Sequence, residues 1–134
     1  MKVEILTLCD AATVDAAGKL NILGAFDRLN AASQPITHPQ CALAFKLRFE
    51  RIEEGNKKIR VAFVNADGAP VMPSMDVTAD VRIQGPESSG AVSIVVNIQQ
   101  LKLPEFGEYS IDLAVDGRHE GSVPLFVART ASSQ

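Results

Sequence analysis

The sequence predicts an all-β protein: a two-sheet antiparallel sandwich of about eight strands. Two observations carry this prediction. Apolar and polar residues alternate with a period of two along most of the 134-residue chain, which is the spacing of strands and not of helices. Turn-forming residues interrupt these runs at intervals of roughly 8–12 residues, as they do between the strands of sandwiches. A chain of this length buries enough apolar surface to form one core without disulfides or metal ions.

The first two apolar runs, residues 3–8 and 20–29, carry apolar residues on both faces. The intervening Asp-Ala-Ala-Gly at positions 15–18 has turn composition, so we expect the two runs to pair as a hairpin. A strand that is apolar on both faces is normally covered on both. We therefore predict that the second face of this hairpin lies under a loop or contacts another subunit, with an interface formed by Leu6, Leu8, Leu23 and Leu29.

Residues 31–40 contain Pro35 and Pro39 and are predicted to cross from one sheet to the other. The regular strands follow between Cys41 and Val127, in runs at 43–49, 59–63, 77–83, 92–98, 109–115 and 123–127. Breaks at 54–56, 65–68 and 85–90 separate these runs. Asp-Gly at 116–117 predicts a type I′ hairpin turn, because both central residues of that turn need positive φ. The predicted domain spans residues 1–129, and residues 130–134 form a short polar tail.

A charged surface is predicted on the middle strands. If Glu-Glu-Gly at 53–55 centres a hairpin, the cations on its two strands share one exposed face, where opposite charges form cross-strand pairs. A polar protein-binding face is one interpretation, and a solvated sheet surface of mixed charge is the favoured one. The residues concerned are Lys46, Arg48, Lys58 and Arg60.

Composition argues against several classes of function. The net charge of −3 and the pI near 5.3 give no field that collects polyanions, so we predict no nucleic-acid partner. The chain has six Phe, one Tyr and no Trp, and Phe45, Phe49 and Phe63 occupy alternating positions that are predicted to point inward. Few rings therefore remain for stacking on bases or sugars. No apolar run reaches the length of a membrane span, and the first ten residues do not read as a signal peptide. We therefore predict no membrane partner and a cytoplasmic location, where Cys9 and Cys41 stay reduced.

The sequence predicts no catalytic, cofactor-binding or metal site. The soft metal ligands are Cys9, Cys41, His38 and His119. A structural zinc site needs four converging ligands, and no Cys-x-x-Cys pair anchors one here. His38 and Cys41 are better interpreted as a loop histidine and a buried cysteine than as a thiol–imidazole pair.

Residues 103–113 contain Gly107-Glu108-Tyr109 and resemble the corner before the penultimate strand of immunoglobulin-like domains. In such domains the tyrosine hydroxyl bonds back to the corner backbone. The chain lacks the core Trp and the cysteine pair of antibody domains, so a jelly roll or another Greek-key sandwich stays open.

The whole chain also resembles an uncharacterised family of small bacterial proteins, in the segments at 6–12, 18–27, 38–41 and 107–117. That resemblance implies a bacterial, cytoplasmic setting. It implies no activity, cofactor or partner.

The leading hypothesis is a non-catalytic interaction or structural module that forms a homodimer through the second apolar face of the first hairpin. A binder of a small apolar ligand between the sheets is the first alternative, and it requires an internal cavity. An enzyme of unrecognised type is the second, and it requires a pocket in which titratable groups converge. The identity of a protein partner is not encoded in any pattern of this sequence.

Overall fold

The computed structural model describes residues 1–130 and confirms the all-β sandwich, with nine strands where about eight were expected. A short 3₁₀ helix, Arg51–Glu53, joins the fourth and fifth strands. The strands are β1 (Lys2–Val14), β2 (Leu20–Ala25), β3 (Arg28–Ala31), β4 (Ile36–Glu50), β5 (Gly55–Val64), β6 (Met75–Val81), β7 (Ser89–Leu103), β8 (Gly107–Val115) and β9 (Arg118–Arg129).

The strands form two sheets. Sheet A has the order β2-β1-β4-β7, and sheet B has the order β3-β9-β8-β5-β6. Neighbouring strands are antiparallel except for β3 and β9, which are parallel. The chain passes from sheet A to sheet B between β2 and β3, returns at β4, and crosses again after β4. The four-residue β3 is the strand that the alternation pattern does not separate from β2.

The core lies between the sheets and is built from the alternating residues of the regular strands. Phe45, Phe49 and Phe63, predicted to point inward, are at most 1% exposed. On β4 the buried side chains at 43, 45, 47 and 49 face the interior, as the period of two requires. Burial of each such side chain stabilises the fold by roughly 1.5–3 kcal/mol.

Two predicted turns form as expected. Asp15 closes the β1–β2 turn: its carboxylate accepts from the backbone N–H groups of Ala17 and Lys19, both at 2.9 Å. Asp116 and Gly117 have φ values of 50° and 81°, the positive φ at both central positions that the β8–β9 turn requires.

A β-bulge explains why β1 is apolar on both faces. The register between β1 and β4 shifts between Val3 and Ile5, and a bulge reverses the alternation of the residues that follow it. Val3 and Leu6 consequently lie on the same side of the strand, where both approach Gly121 of β9. Three of the apolar residues expected on two faces, Val3, Leu6 and Leu8, therefore point into the sandwich, whereas Ile5, opposite Lys46, stays on the outer face.

The end of the chain is described only as far as Thr130, whose backbone N–H donates to the carbonyl of Ala31 at 2.8 Å. The rest of the predicted polar tail, residues 131–134, lies outside the described residues. Within residues 1–130, no helix is long and apolar enough to cross a membrane.

Candidate functional site

The first hairpin extends beyond the sheet that carries it. β1 pairs with β4 only as far as Cys9, which lies opposite Ala42. From Ala11 to Val14 its one partner among the described residues is β2, and β2 is the outer strand of sheet A. The distal hairpin, residues 11–14 with 20–23, is therefore a two-stranded ribbon with an open edge.

Large apolar side chains are exposed on both faces of this distal hairpin. Leu23 is 71% exposed, Val14 41% and Ile22 37%. Residues directly opposite in an antiparallel pair point to the same face, so Val14 shares a face with Leu20, and Leu23 shares the other face with Ala11. The hairpin thus presents apolar surface in two directions.

The structure separates the four residues predicted to form an interface. Leu23 is exposed, whereas Leu8 is 1% exposed and belongs to the core. Leu6 and Leu29 are half-buried and pack against that core. Leu6 and Leu8 face inward because they lie directly opposite Phe45 and Leu43 of β4, whose side chains are in the core.

Val14 and Ile22 complete the exposed apolar set, and they were missing from the predicted interface. Ile22 belongs to an apolar run that the sequence reveals, but its exposure does not follow from the run. The signal that identifies both residues is the register of the hairpin, which places them beyond the last residue of β1 that pairs with β4.

A small apolar cluster anchors the base of the hairpin. Cys9, Ala42 and Ala44 are at most 1% exposed, and Ala12 and Leu20 pack against them. Most of these side chains are small. The β2 half of the distal hairpin is therefore held in place more by its hydrogen bonds to β1 than by core packing.

The two cysteines are free and buried. Cys9 lies opposite Ala42 and shares its face of sheet A. Cys41 precedes Ala42 on β4, so its side chain points to the opposite face, into the main core. Burial raises the pKa of the Cys41 thiol to about 11, and burial raises the pKa of Cys9 as well. High pKa values make both thiols poor nucleophiles.

The four predicted surface cations lie on two different sheets and do not form one face. Lys46 and Arg48 are on β4 in sheet A, whereas Lys58 and Arg60 are on β5 in sheet B. The expected β4–β5 hairpin does not form, because Arg51–Glu53 turns as a 3₁₀ helix and carries the chain across the sandwich.

Three of these four cations, Lys46, Arg48 and Arg60, form ion pairs with acidic residues of their own sheet. Arg48 Nε lies 2.8 Å from Glu4 Oε2, and Lys46 Nζ lies 3.6 Å from Glu4 Oε1. The hydrogen bond from Arg48 lowers the pKa of Glu4. Arg60 Nε lies 2.9 Å from Asp76 Oδ1 and lowers the pKa of that carboxyl in the same way. These contacts are cross-strand ion pairs of the ordinary surface kind.

Charged side chains line two of the surface cavities. The larger, about 660 Å³, is a groove on sheet B lined by Lys58, Arg60 and Asp76 among others. The smaller, about 270 Å³, is lined in part by Glu53 and Lys57. In both cavities the charged groups form ion pairs with one another, Arg60 with Asp76 and the N-terminal amine with Glu53. A hydrogen bond from the backbone N–H of residue 50 lowers the pKa of Glu53. A carboxylate with a lowered pKa is a weak general base.

The soft metal ligands do not converge. Among residues 1–130, no group of three His, Cys, Asp or Glu side chains is placed to hold a metal ion. The ring of His38 lies against Phe26, with 5.7 Å between the ring centroids, and its buried Nε2 has no hydrogen-bond partner. This contact is consistent with a packed histidine at the base of the hairpin.

Comparison with known proteins identifies a family but no activity. A family model described as a family of unknown function (DUF6941) matches residues 4–128. No curated protein matches the chain.

The fold is similar to part of a solved structure, the Pseudomonas fluorescens alkylpurine DNA glycosylase AlkC bound to DNA containing an abasic site analog. The TM-score is 0.54 at 10% identity, over 95% of this chain and 30% of that one. At this identity the similarity shows the fold alone, and the chain spans about 30% of the length of that protein.

Proposed function

The chain belongs to DUF6941, a family of unknown function, and we propose that it acts as a non-catalytic protein-interaction module that binds through the distal hairpin. This membership agrees with the resemblance on which a family of unknown function was expected. The proposed binding element, residues 11–14 with 20–23, is shorter than the hairpin whose second face was predicted to form an interface.

One observation carries the proposal. Among the described residues, five large apolar side chains are exposed, and three of them are Val14, Ile22 and Leu23 of the distal hairpin. Single exposed apolar residues are ordinary on protein surfaces, whereas clustered ones mark interaction sites. The other two, Ile52 and Phe126, lie on different elements.

An immunoglobulin-like topology supports this function, since such domains present strand edges and loops to partners on a rigid scaffold. Two features favour that topology here. The hydroxyl of Tyr109 donates to the carbonyl of Glu105 at 2.6 Å, in the corner before β8. The short β3 leaves the hairpin and runs parallel to the last strand, β9.

A reducing compartment also fits the proposal. Cys9 and Cys41 are unbridged, as is usual for cytoplasmic proteins. A bacterial origin rests on the family resemblance, and a single domain over residues 1–129 rests on the continuous core.

The alternatives have weaker support. The groove of about 660 Å³ lies on a charged outer surface, which does not suit a small apolar ligand held between the sheets. A solved structure that resembles this chain is bound to DNA, but the net charge of −3 disfavours binding to phosphates here.

Affinity purification with matched variants tests the proposal. Tagged wild-type protein is compared with Leu23→Asp and with Ile52→Asp, which places the same charge at a residue that is 95% exposed on a different element. We expect the wild type and Ile52→Asp to retain the same proteins from the source organism's lysate and Leu23→Asp to lose them. Retention of an identical set by all three proteins would show that the distal hairpin is not the binding element.

A further inference from the structure

β7 is the longest of the four edge strands of the sandwich, and it is the least protected. Unpaired backbone groups at a sheet edge form a template for another strand, and proteins block this with short strands, charges or backbone distortions. β3 has only four residues, β6 carries Asp76 and Asp80, and β2 is distorted at Gly24, whose φ is 69°. β7 spans Ser89–Leu103, and its one strand partner within residues 1–130 is β4.

Residues 89–99 of β7 form a regular edge without charge. Each of them lies directly opposite a residue of β4, with no shift of register. The segment contains no charged residue and no proline, and the positive φ in β7 comes only after it, at Gln100. Neither its side chains nor its backbone conformation therefore blocks the addition of a strand.

Alternate residues of this segment direct their backbone groups away from β4. The N–H of Arg51 donates at 3.2 Å to the carbonyl of Ser88, the residue opposite it in the β4–β7 register. Because hydrogen-bonded pairs alternate along an antiparallel ladder, the even-numbered residues of the segment bond to β4 and the odd-numbered residues face the open edge. From position 91 onward, the residues that face the edge are Ala91, Ser93, Val95, Asn97 and Gln99.

The core is incompletely covered on the side of the sandwich where β7 lies, which we call the open side. β6, the edge strand of sheet B, lies on this same side. Val92 and Ile94 point inward opposite Leu47 and Phe45, which are fully buried, yet both are only half-buried themselves. The inward-facing residues of β6 are half-buried as well: Met75, Val77 and Ala79. A strand added beside β7 would remove apolar surface of the open side from water.

The charges near the open side do not oppose the approach of an identical chain. Residues 89–99 carry none. Both carboxylates of β6 are ion-paired: Asp76 lies 2.9 Å from Arg60 Nε, and Asp80 lies 2.9 Å from Arg82 Nε. Opposition of like charges, which commonly keeps identical edges apart, therefore does not arise between two copies of β7.

The open segment is self-complementary about Val95. The odd-numbered positions from 91 to 99 are centred on residue 95. In an antiparallel pair about a two-fold axis at Val95, residue 95 lies opposite its own copy, 93 opposite 97, and 91 opposite 99, so each of these positions has a partner. Other registers leave some of them unpaired. With the axis perpendicular to the sheet, the inward faces of both copies point the same way, so Val92 and Ile94 of each copy are covered by the other.

We infer that β7 is a dimerisation edge, to which a second copy of the same chain adds by antiparallel β7–β7 pairing centred on Val95. The pairing joins the two four-stranded sheets A into one continuous sheet and places the open sides of the two copies against each other. Because the contact is isologous, it closes on itself and gives a dimer. This inference goes beyond the proposed function: β2 lies at the opposite end of sheet A, so both distal hairpins stay free for a partner.

Sedimentation velocity of the purified chain, from about 1 µM to about 100 µM, measures this association. We expect a concentration-dependent dimer for the wild type and for Leu23→Asp, which alters only the other edge of sheet A. Val95→Asp and Val95→Lys each place like charges opposite one another at the axis and should weaken the dimer about tenfold or more. Val95→Thr, which is β-branched and uncharged, should retain it. A wild type that is monomeric throughout, or a Val95→Asp dimer as strong as that of the wild type, overturns the inference.

Mixing the two charged variants tests the two-fold axis. In an equimolar mixture the carboxylate of one variant lies opposite the amine of the other, so we expect a mixed dimer although each variant alone is largely monomeric. Far-ultraviolet circular dichroism and urea unfolding check that both variants retain the fold. If folded variants do not associate in the mixture, residue 95 does not lie opposite its own copy and the inference is overturned.

Hydrogen exchange of the backbone amides tests whether the contact is strand addition. Ile94 and Val96 bond to β4, so their N–H groups should be protected at every protein concentration. The N–H groups of Ser93, Val95 and Asn97 should become protected only as the dimer forms. A dimer in which these three amides exchange as fast as in the monomer overturns the inference, because association then uses another surface.

Discussion

Replacing Tyr109 by phenylalanine removes one oxygen atom from the start of β8 and tests what holds the β7–β8 corner. Tyr109 is 2% exposed. Its hydroxyl donates to the carbonyl of Glu105 at 2.6 Å and accepts from the N–H of Glu105 at 3.2 Å. One side chain therefore satisfies both backbone groups of a residue four positions earlier.

The expected cost follows from these two contacts. A hydrogen bond contributes about 0.5–1.5 kcal/mol net, so loss of both gives about 1–3 kcal/mol. Glu105 is exposed, so water can solvate its freed backbone groups, and we expect the lower half of that range. The ring of Phe fills the same space, so no cavity term is added.

Urea unfolding followed by circular dichroism measures the change. A loss of about 1–1.5 kcal/mol corresponds to a midpoint lowered by about 0.5–1 M at the denaturant sensitivity usual for small domains. Ser110→Ala is the control, because it removes a hydroxyl from the next residue of β8, where Ser110 bonds Asp112 at 2.7 Å on the partly exposed outer face. If Tyr109→Phe costs no more than Ser110→Ala, the corner hydrogen bonds do not stabilise the fold as argued.

Three further expectations concern charge, burial and backbone conformation. Because the hydrogen bond from Arg48 holds the pKa of Glu4 below its usual 4.5, the pair stabilises the fold above that pH and loses this effect as the pH falls through the lowered pKa. Arg48→Gln should therefore reduce the unfolding free energy more near pH 7 than near pH 2.5, and an equal reduction at both would contradict this. Burial raises the pKa of Cys41 to about 11, and both cysteines are buried. A thiol-specific disulfide reagent at about pH 8 should therefore label neither Cys41 nor Cys9 in the folded protein, and both after unfolding. Rapid labelling of the folded protein would show that the thiols are not buried. Gly117→Ala forces a side chain to adopt φ near 81° at a cost of about 1–2 kcal/mol, whereas Gly117→Asn should cost less, and equal costs measured by urea unfolding would count against a left-handed turn.

The core could be predicted because its signal is local. On β8 each buried residue is separated from the next by one half-buried residue, as in Tyr109, Ile111, Leu113 and Val115. Period-two burial appears directly in the order of residues, and it needs no knowledge of which strands pair. The same holds for the turn at Asp116 and Gly117, because these residue types tolerate the positive φ that the turn requires.

The candidate site could be predicted only in part, because it depends on pairing. Leu6 and Leu23 both belong to apolar runs of the first hairpin, yet one is half-buried and the other is 71% exposed. The difference arises from the bulge after Val3 and from the point at which β4 stops accompanying β1. Both are properties of register between strands distant in sequence, which residue order alone does not fix.

The distal hairpin contributes little to the packing that stabilises the sandwich. The main core contains none of its residues, and its contacts with the rest of sheet A are those of Ala12 and Leu20 with a cluster of small side chains. A charge introduced at Leu23 meets solvent in the monomer, so it should leave the unfolding free energy within about 0.5 kcal/mol of the wild type. Any loss of association in Leu23→Asp can then be attributed to the surface it alters. For this reason the exposed hairpin serves both as the favoured binding element and as the place where binding can be tested without disturbing the fold.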